Sequence, residues 1–426
     1  MKIKYYLFCI AIVLASCTEK IDIPAIQISS TYVSFSSDAN SVEVSITATE
    51  PYTINCESDW IAVENSKDKI TISAERNVRS SSRDAVVAVN GKTVSVEIKV
   101  KQEGHEYEIK QTGESLYVFS TEAGLLYYHY KKDVLGQPID INKINLNNEQ
   151  AVKGIIHGKE KWNDIKKITI EGVTNAMDYA CIKHNFQNVE YLDVSNTTIE
   201  AYTGPLGTLD YGNPLNFGAD TFPYYAFCYG DCDCKWDEWD DPTDEKMWIS
   251  MPNLKYVALP NTIKKIDFCA FKCAVSITEI IVPEGVIEIG AYNKYYKDSD
   301  PGIGKSFYNC ISLERVYLPS TLELLGFGSF INNDSLKEVH IAAKEKPKET
   351  IDEWYANNKN VDYYMTFGTA LDWLNMEKLG YIGGIMVGGF SPLIYEPKTN
   401  ATLYVPKGSK DNYKDWERYF QDIVEE

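Results

Sequence analysis

Apolar and polar residues alternate with a period of two along the chain from Ile26 to Gly104. β-Branched residues fill most of the apolar positions, as in Val42–Ile46, Ala85–Val89 and Val94–Val100. Because successive side chains of a strand point to opposite faces, this pattern predicts short, half-buried strands. Roughly seven such strands, bounded by Ser, Asn, Asp and Gly, predict a β-sandwich.

Two details refine this first region. The Asn90-Gly91 pair lies between two apolar runs and predicts a hairpin with a type I′ turn. Trp60 stands alone within the strand pattern, so we expect it to fill the core and not to form a ligand platform.

The C-terminal half follows a different pattern, in which an L-x-x-V-x-L-P stretch recurs. Copies begin at Leu254, Ile277, Leu313 and Leu336, so the spacings are 23, 36 and 23 residues. The middle spacing is one repeat plus a 13-residue insertion. Ile165 and Val189 begin earlier copies, which extends the array towards the N-terminus.

Each complete copy also carries an apolar residue and a phenylalanine at fixed places. The apolar residue lies twelve positions after the start, and the phenylalanine lies six positions before the next copy: Ile266, Ile289 and Leu325; Phe271, Phe307 and Phe330. The L-x-x-V-x-L-P stretch predicts a strand whose alternate residues, such as Leu318, point inward. A unit of this size cannot bury its apolar face alone, so neighbouring units must stack into a solenoid. The fold class predicted for the chain is therefore multidomain and β-rich, a sandwich followed by a solenoid of repeats.

The N-terminus has the features of an export signal. Lys2 and Lys4 precede an apolar run, Tyr5–Val13, that is shorter than the ~20 residues needed to span a bilayer. Leu14–Cys17 follows at once and resembles the lipobox of bacterial lipoproteins. The resemblance implies cleavage before Cys17, acylation of Cys17 and a lipid anchor at the outer membrane, with the protein at the cell surface. The alternative is an ordinary signal peptide with a chance cysteine.

Two further resemblances concern the folded regions. Ser58–Ile61, Asn77–Ser80 and Val96–Gly104 resemble the BACON domain, an immunoglobulin-like module of bacterial surface proteins. With no cluster of aromatic residues in this region, we favour a spacer role over carbohydrate binding. The repeats, their Ile-Gly steps and the segment from Leu403 to Ile423 resemble BspA-like leucine-rich repeats, which are implicated in adhesion.

These patterns and resemblances divide the chain into five parts. They are a signal peptide (1–16), a tether (17–26), a BACON-like sandwich (27–104), a cap of the repeat domain (105–164) and the repeat solenoid with its closing segment (165–426). Residues 344–400 fit the repeat pattern poorly.

Charge and motifs exclude several functions. The chain has 61 Asp and Glu residues against 42 Lys and Arg, a net charge of −19, so a nucleic-acid partner is excluded because phosphate binding needs a basic face. The sequence contains five histidines and neither an H-E-x-x-H nor a G-x-S-x-G motif. We therefore predict no enzymatic activity, no catalytic residues and no cofactor.

Insertions in the repeats are the places where binding residues are expected, because loops on a rigid scaffold carry function. One insertion spans about residues 202–225 and another residues 291–305, both after the second apolar strand of their repeat and therefore on one edge. Their candidate ligand-binding residues are Tyr211, Tyr224, Tyr225, Tyr292, Tyr295 and Tyr296. The alternative is that these rings pack the insertions back onto the repeats.

A third insertion, residues 230–250, combines Trp236 and Trp239 with many carboxylates. Tryptophan beside carboxylates suits sugar binding, so both residues are candidates for a glycan site. The acidic spacing does not match an EF-hand, and Cys228, Cys232 and Cys234 lack the second ligand pair of a zinc site, so we assign no metal site. These three cysteines lie close enough in sequence for one disulfide, and the sequence does not decide which two would pair. Cys269, Cys273 and Cys310 are expected to be small core residues.

The sequence thus predicts a lipid-anchored, adhesin-like surface protein. Its expected partner is a host or microbial extracellular protein, recognised through the repeats and their aromatic insertions. The alternatives are a glycan-binding protein for polysaccharide capture and a purely structural spacer.

Overall fold

The computed structural model describes residues 25–106, 108–127, 162–204, 207–208, 215–228, 249–290, 304–326, 328–349, 367–371, 394–396 and 399–426. The chain is β-rich and divides into two compact units after Gly104, apart from residues 78–80, which belong with the second unit.

The first unit consists of two four-stranded sheets. Its strands are β1 Ile26–Ile28, β2 Tyr32–Phe35, β3 Asn40–Ala48, β4 Tyr52–Asn55, β5 Ile61–Asn65, β6 Lys69–Ala74, β7 Arg83–Gly91 and β8 Ser95–Gln102. One sheet has the order β1-β3-β6-β5 and the other β2-β8-β7-β4. All neighbouring strands are antiparallel except β2 and β8, which are parallel.

A single hydrophobic core lies between these two sheets. Alternate residues of both sheets enter it, among them Ile70 and Ile72 of β6 and Val87 and Val89 of β7, all fully buried. Trp60 is also part of this core, and the Arg83 guanidinium lies 4.3 Å from its ring centroid. The prediction that Trp60 fills the core is confirmed.

The predicted hairpin joins β7 and β8, but its turn lies two residues later than expected. Asn90 pairs with Ser95, and the Gly91 N–H donates to the Val94 carbonyl (2.9 Å), so Lys92 and Thr93 form the turn. Glu50 holds this turn by accepting from the backbone N–H of Thr93 (3.1 Å). A Cβ on Gly91 would lie 2.4 Å from the Glu50 Oε1 atom, so this glycine makes room for a carboxylate and does not form the turn.

The second unit contains one long series of parallel strands. They are β10 Ser115–Ser120, β11 Lys167–Thr174, β12 Tyr191–Ile199, β16 Tyr256–Ala258, β18 Glu279–Ile281, β20 Arg315–Leu318, β23 Glu338–Ile341, β27 Thr402–Val405 and β28 Asp422–Glu425. One five-stranded sheet has the order β16-β12-β11-β10-β9, where β9 is Glu108–Thr112 and antiparallel, and the other has the order β18-β20-β23-β27-β28. β16 lies beside β18, so the two sheets follow one another. β10 extends the series into the region that the sequence assigned to the cap.

A second parallel sheet is built from the short apolar steps of the repeats. Its strands, in order, are β15 Thr221–Phe222, β17 Lys265–Ile266, β19 Glu288–Ile289, β21 Leu324–Leu325 and β24 Lys348–Glu349. The Ile-Gly steps reflect a close approach here, because a Cβ on Gly326 would lie 1.7 Å from the Gly290 carbonyl oxygen.

The repeat phenylalanines stack in a column through the core. Ring centroids are 4.8 Å apart for Phe271 and Phe307 and 5.1 Å apart for Phe307 and Phe330. Phe222, a strand residue of β15, stacks on the start of the column with its ring centroid 5.2 Å from that of Phe271. Phe367, in β25 (Phe367–Leu371), continues the column 5.0 Å beyond Phe330. β25 pairs with β22 (Phe330–Ile331) on one side and with β26 (Ile394–Glu396) on the other. One stacked ring per repeat explains why phenylalanine recurs at this place.

Further elements of the described residues include a hairpin, a helix and a 3₁₀ helix. The hairpin pairs β13 (Tyr202–Gly204) with β14 (Leu215–Phe217). Helix α1 (Ala176–Asn185) begins with a capping box. The Asn175 side chain accepts from the backbone N–H groups of Met177 and Asp178, and the Asp178 carboxylate accepts from the backbone N–H of Asn175. The 3₁₀ helix (Lys410–Arg418) lies before β28 and buries Tyr413 and Trp416 against the end of the phenylalanine column. No helix among the described residues is long and apolar enough to cross a membrane.

Candidate binding surface

The parallel register of the second unit places one outward residue of each repeat in a row. In β20, Val316 and Leu318 are buried while Tyr317 between them is half-buried, which confirms the predicted inward position of Leu318. Because neighbouring strands pair in register, the residues equivalent to Tyr317 lie side by side across the sheet. We call this row the outer column: Ile281, Tyr317, His340, Tyr404 and Val424.

Three stacked rings form the middle of the outer column. The ring centroids of Tyr317 and His340 are 4.7 Å apart with an angle of 16°, and those of His340 and Tyr404 are 4.4 Å apart with an angle of 6°. Ile281 (49% exposed) and Val424 (37% exposed) flank the rings. These two residues are among the few large apolar side chains of the described chain that are exposed, so the column is an apolar stripe on a polar surface.

Stacking determines which part of each ring a ligand can reach. Both faces of His340 and one face each of Tyr317 and Tyr404 are covered by stacking. A sugar packs its C–H groups against the electron-rich face of an aromatic ring, and stacking takes up four of the six ring faces of this column. Ring edges and aliphatic ends suit the side chains and backbone of another protein better than a sugar.

Charged groups border the outer column. The His340 Nδ1 atom lies 3.0 Å from the Glu426 Oε1 atom, and its Nε2 atom lies 3.5 Å from the Glu338 Oε2 atom. On the other side, Arg315 donates to Glu279 (2.8 Å), and this hydrogen bond raises the pKa of Arg315. Beside β18 and β20 the border therefore consists of a cation paired with a carboxylate, whereas beside β23 and β28 it consists of the carboxylates of Glu338 and Glu426.

A second, smaller group of rings occupies the preceding sheet. Tyr191 of β12 and Tyr256 of β16 stack with centroids 4.8 Å apart, and the Lys167 Nζ atom lies 4.9 Å from the Tyr191 ring centroid. Burial and the neighbouring Tyr256 raise the pKa of the Tyr191 hydroxyl. Outward-facing rings on neighbouring parallel strands thus stack at two places in this unit.

Tyr224 and Tyr225, which the sequence nominated as ligand contacts, are buried. Both are at most 5% exposed, and Tyr224 stacks between Phe217 (4.4 Å) and Phe268 (5.0 Å). They belong to a small core cluster and do not form an exposed edge. For this insertion the structure supports the alternative that its rings pack back onto the repeats, because covering apolar surface is more favourable than leaving it in water.

The two aromatic insertions also begin at different places in their repeats. The first contains the hairpin of β13 and β14 and precedes β15, since Phe222 of β15 pairs with Ile266. The second follows β19, whose Ile289 pairs with Ile266 from the other side. The expectation of a shared edge is therefore wrong for residues 202–217, because Phe222 is a strand residue of the repeat and not part of the insertion.

The other nominated residues lie outside the described part of the chain. They are Cys17, Tyr211, Trp236, Trp239, Tyr292, Tyr295 and Tyr296, together with Cys232 and Cys234. Their proposed roles stay predictions.

The residues of the outer column were missed at the sequence level, although a signal was present. Tyr317, His340 and Tyr404 occupy the same position of the repeat, directly after the buried central residue. Comparing the outward positions of successive repeats, and not only the insertions, would have identified them.

A polar depression at the start of the first parallel strands is explained by pairing within it. Lys166 binds Glu114 (2.9 Å) and Lys255 binds Glu190 (2.7 Å), while the Asn188 amide donates to the Asn163 carbonyl (2.7 Å). Because these groups satisfy one another along the ladder of strands, the depression is assigned to stability and not to ligand binding.

The cysteines of the second unit are core residues. Cys269, Cys273 and Cys310 are each 1% exposed, which confirms their predicted place, and Cys228 is also buried as a free thiol. Burial raises the pKa of the Cys228 thiol well above its usual value, which makes it a poor nucleophile. Among the described residues no group of three or more His, Cys, Asp or Glu side chains is placed to hold a metal ion.

Comparison with known proteins supports the repeat assignment. Residues 244–299 and 303–364 match the BspA type leucine rich repeat region, in six copies. No curated protein matches the chain.

Two solved structures are similar over parts of the chain. One is described as the NMR structure of the protein from Bacteroides thetaiotaomicron: it is 14% identical, with a TM-score of 0.18, over 20% of this chain and 94% of that one. The other is a Bacteroides ovatus GH5 xyloglucanase in complex with a XXXG heptasaccharide: it is 10% identical, with a TM-score of 0.19, over 64% of this chain and 72% of that one. At such low scores these likenesses carry no functional argument.

Proposed function

We propose that this chain is a lipid-anchored surface protein that binds an extracellular protein partner through its repeat unit. The match to BspA-type repeats supports a surface or binding protein in general terms. The observation that carries the protein-binding proposal is the outer column, a stripe of stacked ring edges with exposed aliphatic ends.

The proposed architecture serves this role. Acylated Cys17 would anchor the chain at the outer membrane, and the first unit would act as an immunoglobulin-like spacer of the BACON type. The repeats would form a solenoid, because one strand per repeat pairs in parallel with the next and one phenylalanine per repeat stacks in the core. A stack of this kind is a rigid support on which outward residues keep fixed spacings.

The chemistry of the described residues favours binding over catalysis. Two fully buried charged side chains have structural partners: Asp178 accepts from the N–H groups of Gly124 and Leu126, and Lys183 donates to the carbonyls of Thr208 and Cys228. We therefore propose that the chain is not an enzyme.

The test is binding of the purified chain to immobilised extracellular-matrix and mucosal proteins, with a glycan array measured in parallel. We expect at least one protein to bind and the double variant Tyr317→Thr with Tyr404→Thr to weaken binding at least about tenfold, since central interface aromatics carry much of the binding energy. Threonine retains strand propensity, so the sheet should persist. Tyr32→Thr is the matched control, because Tyr32 is a 52% exposed strand tyrosine of the first unit.

Three outcomes would contradict the proposal. The first is that no protein of the panel binds, and the second is that the double variant binds its protein as tightly as the unmodified chain. The third is that the Tyr32→Thr control loses as much binding as the double variant does. Glycan binding that disappears in Trp236→Ala with Trp239→Ala would instead establish the alternative function, polysaccharide capture.

A further inference from the structure

We infer that the outer edge of β28 takes up an extended cationic segment of the partner as an additional strand. This inference rests on the proposed function and specifies the chemistry of the partner. Its observations are the position of β28 in the sheet, the continuation of the outer column to Val424 and the carboxylates of the last strands.

β28 is the last strand of the sheet β18-β20-β23-β27-β28. It pairs with β27 in parallel from Asp422 to Glu425, and among the described residues no strand pairs with its other edge. Backbone N–H and C=O groups at such an edge are a template for a strand of another chain. A strand added there would lie ~4.8 Å from β28 and would extend the same ladder.

The outer column continues to this edge and defines what would lie next to it. Tyr404 is paired with Val424, which is 37% exposed and is the last member of the column. An apolar or aromatic residue on the incoming strand, directly beside Val424, would cover this side chain and prolong the row. Cross-strand pairs of this type stabilise a sheet.

Carboxylates flank that position on both sides. Asp422, Val424 and Glu426 are two residues apart, so the two acids project on the same face as Val424, and both are exposed. Glu426 already contacts His340 at 3.0 Å, and the Asp422 carboxylate accepts from the N–H of Ile423 (2.8 Å).

The wider charge of the last strands has the same sign. Residues 338–341, 402–407 and 422–426 contain Glu338, Asp422, Glu425 and Glu426 against a single cationic side chain, Lys407. Glu425 is engaged by the N–H groups of Gly408 (3.0 Å) and Lys410 (3.1 Å). With a chain charge of −19, this end of the sheet attracts cations over distance as well as in contact.

Together these features specify a pattern in the partner. A parallel strand beside β28 would place a Lys or Arg next to Asp422, an apolar or aromatic residue next to Val424, and a Lys or Arg next to Glu426. The partner segment therefore reads cation-x-apolar-x-cation in an extended conformation. Charged residues at an edge also prevent aggregation between sheets, and that simpler role is one outcome of the test.

The probe is the blocked peptide Thr-Lys-Thr-Tyr-Thr-Lys-Thr, labelled with a fluorophore and titrated with the full chain by fluorescence anisotropy. The matched peptide carries Glu in place of both Lys residues. We expect the Lys peptide to bind at least tenfold more tightly than the Glu peptide at about 50 mM salt, because the two ion pairs are exposed and weakly screened there. The preference should shrink to less than about threefold in 1 M salt.

Variants of the chain locate the site. Asp422→Asn with Glu426→Gln should weaken binding of the Lys peptide about tenfold at low salt, and Glu426→Gln retains a hydrogen-bonding group for His340. The control is Asp84→Asn with Glu97→Gln, which neutralises two exposed strand carboxylates of the first unit. The control should leave the affinity within about twofold of the unmodified chain, since neither carboxylate belongs to the sheet that ends in β28.

Backbone methylation tests strand addition itself. A strand that joins a single edge needs the N–H groups of alternate residues only. N-methylation at the two inner Thr positions of the peptide and N-methylation at its Lys and Tyr positions therefore affect opposite edges, so one of these two peptides should lose binding while the other should not. Equal binding of both methylated peptides, or equal binding of the Lys and Glu peptides, would overturn the inference and leave edge protection as the role of the acids.

The two proposals fail in different ways. Suppose that binding of a protein partner requires Tyr317 and Tyr404, but is unchanged by Asp422→Asn with Glu426→Gln and is not competed by the Lys peptide. The inference is then wrong and the proposed function stands. If the Lys peptide binds the edge as expected while the Tyr317 and Tyr404 variants leave every protein interaction intact, the proposed function is wrong.

Discussion

At the scale of single residues, the repeats impose a left-handed backbone on both sides of each phenylalanine. The residues with positive φ are Tyr225, Cys269, Lys305 and Gly328, two positions before Phe227, Phe271, Phe307 and Phe330, and Cys273, Asn309 and Asn332, two positions after the last three of these. A positive φ disfavours side chains other than those of Gly, Asn and Asp. Cys273, with φ of 59°, is therefore the strained member of a set in which the later repeats use asparagine.

The first prediction follows from this comparison. Cys273→Asn should raise the free energy of unfolding of the second unit by about 1 kcal/mol, because asparagine adopts φ near 60° at lower cost. The Asn309 amide, now 3.6 Å from the Cys273 Sγ atom, would then meet a carbonyl acceptor. Urea denaturation provides the measurement.

Cys310→Asn serves as the control for this substitution. Cys310 is equally buried and has an asparagine, Asn333, in the next repeat, but its φ is not positive. It should lose stability, since an amide replaces a thiol that donates to the Phe271 carbonyl (3.2 Å). If both variants are destabilised equally, backbone strain at Cys273 is not the cause.

The second prediction concerns pH. Burial raises the pKa of Asp178 from its usual value of 3.8 to about 6, although the backbone N–H groups of Asn175, Gly124 and Leu126 donate to its carboxylate. The folded state therefore binds the proton more tightly than the unfolded state. This group's contribution is most favourable below about pH 4, is lost as the pH rises to about 6, and is constant above that.

Asp178→Asn should make the free energy of unfolding less dependent on pH between about pH 4 and pH 7. The variant is expected to be less stable at every pH, because an amide cannot accept all three N–H groups, but its difference from the unmodified chain should narrow by on the order of 2 kcal/mol between pH 4 and pH 7. Thermal melts across that range give the measurement. A constant difference at all pH values would show that Asp178 keeps its ordinary pKa in the fold.

At the scale of elements, each repeat strand separates a buried face from an exposed one. In β20 the buried residues are Val316 and Leu318, and Arg315 and Tyr317 face outward. The same alternation recurs in β23 and β27, so the whole sheet has one core face and one solvent face. Register then aligns the outward residues without any need for contacts between distant loops.

The third prediction tests this assignment of faces. Leu318→Asp should bury an unpaired charge and unfold the second unit, a loss of several kcal/mol. Tyr317→Asp should retain the fold, with a cost near 1 kcal/mol from the lost stack on His340. Circular dichroism and denaturation distinguish the two variants, and the opposite ranking would mean that the strand faces are reversed.

At the scale of the whole molecule, the main hydrophobic cores of the two units share no residue in the described part of the chain. The first unit has its own core around Ile70 and Ile72, and the second has a continuous one from Leu116 to Ile423. A core that is not shared leaves each unit to unfold as its own cooperative transition.

The fourth prediction is therefore that calorimetry resolves two transitions. Ile72→Ala should lower only one of them and Phe307→Ala only the other, each by about 2–5 kcal/mol, because both side chains are fully buried. A single transition that shifts with either variant would show that the two units unfold together.

The fifth prediction concerns anchoring. Cys17→Ser should move the protein from the membrane fraction to the soluble fraction and abolish incorporation of a labelled fatty acid, because the acylated thiol is lost. Cys9→Ser is the matched control, since Cys9 lies within the segment that cleavage before Cys17 removes. Membrane retention of the Cys17→Ser variant would contradict the lipid anchor.

The sequence alone determined the repeats and their buried positions. Leu318, Phe271, Phe307 and Phe330 were assigned to the core from periodicity, because burial imposes a regular apolar pattern that any copy must keep. Trp60 was also assigned correctly, because a lone tryptophan within a strand pattern is expected to fill the core. The hairpin of β7 and β8 was also predicted, but its turn was misplaced, since the Glu50 carboxylate that fixes it comes from a distant part of the chain.

Only the tertiary structure decided where the aromatic residues outside the repeat pattern lie. Tyr224 and Tyr225 look like loop aromatics in sequence, yet they fill a core between Phe217 and Phe268, and no local pattern specifies such a neighbour. Tyr317, His340 and Tyr404 are far apart in sequence, and pairing of three parallel strands brings their rings into one stack. Periodicity states which side of a strand a residue occupies, whereas register between strands decides which residues meet, and register is a property of the assembled sheet.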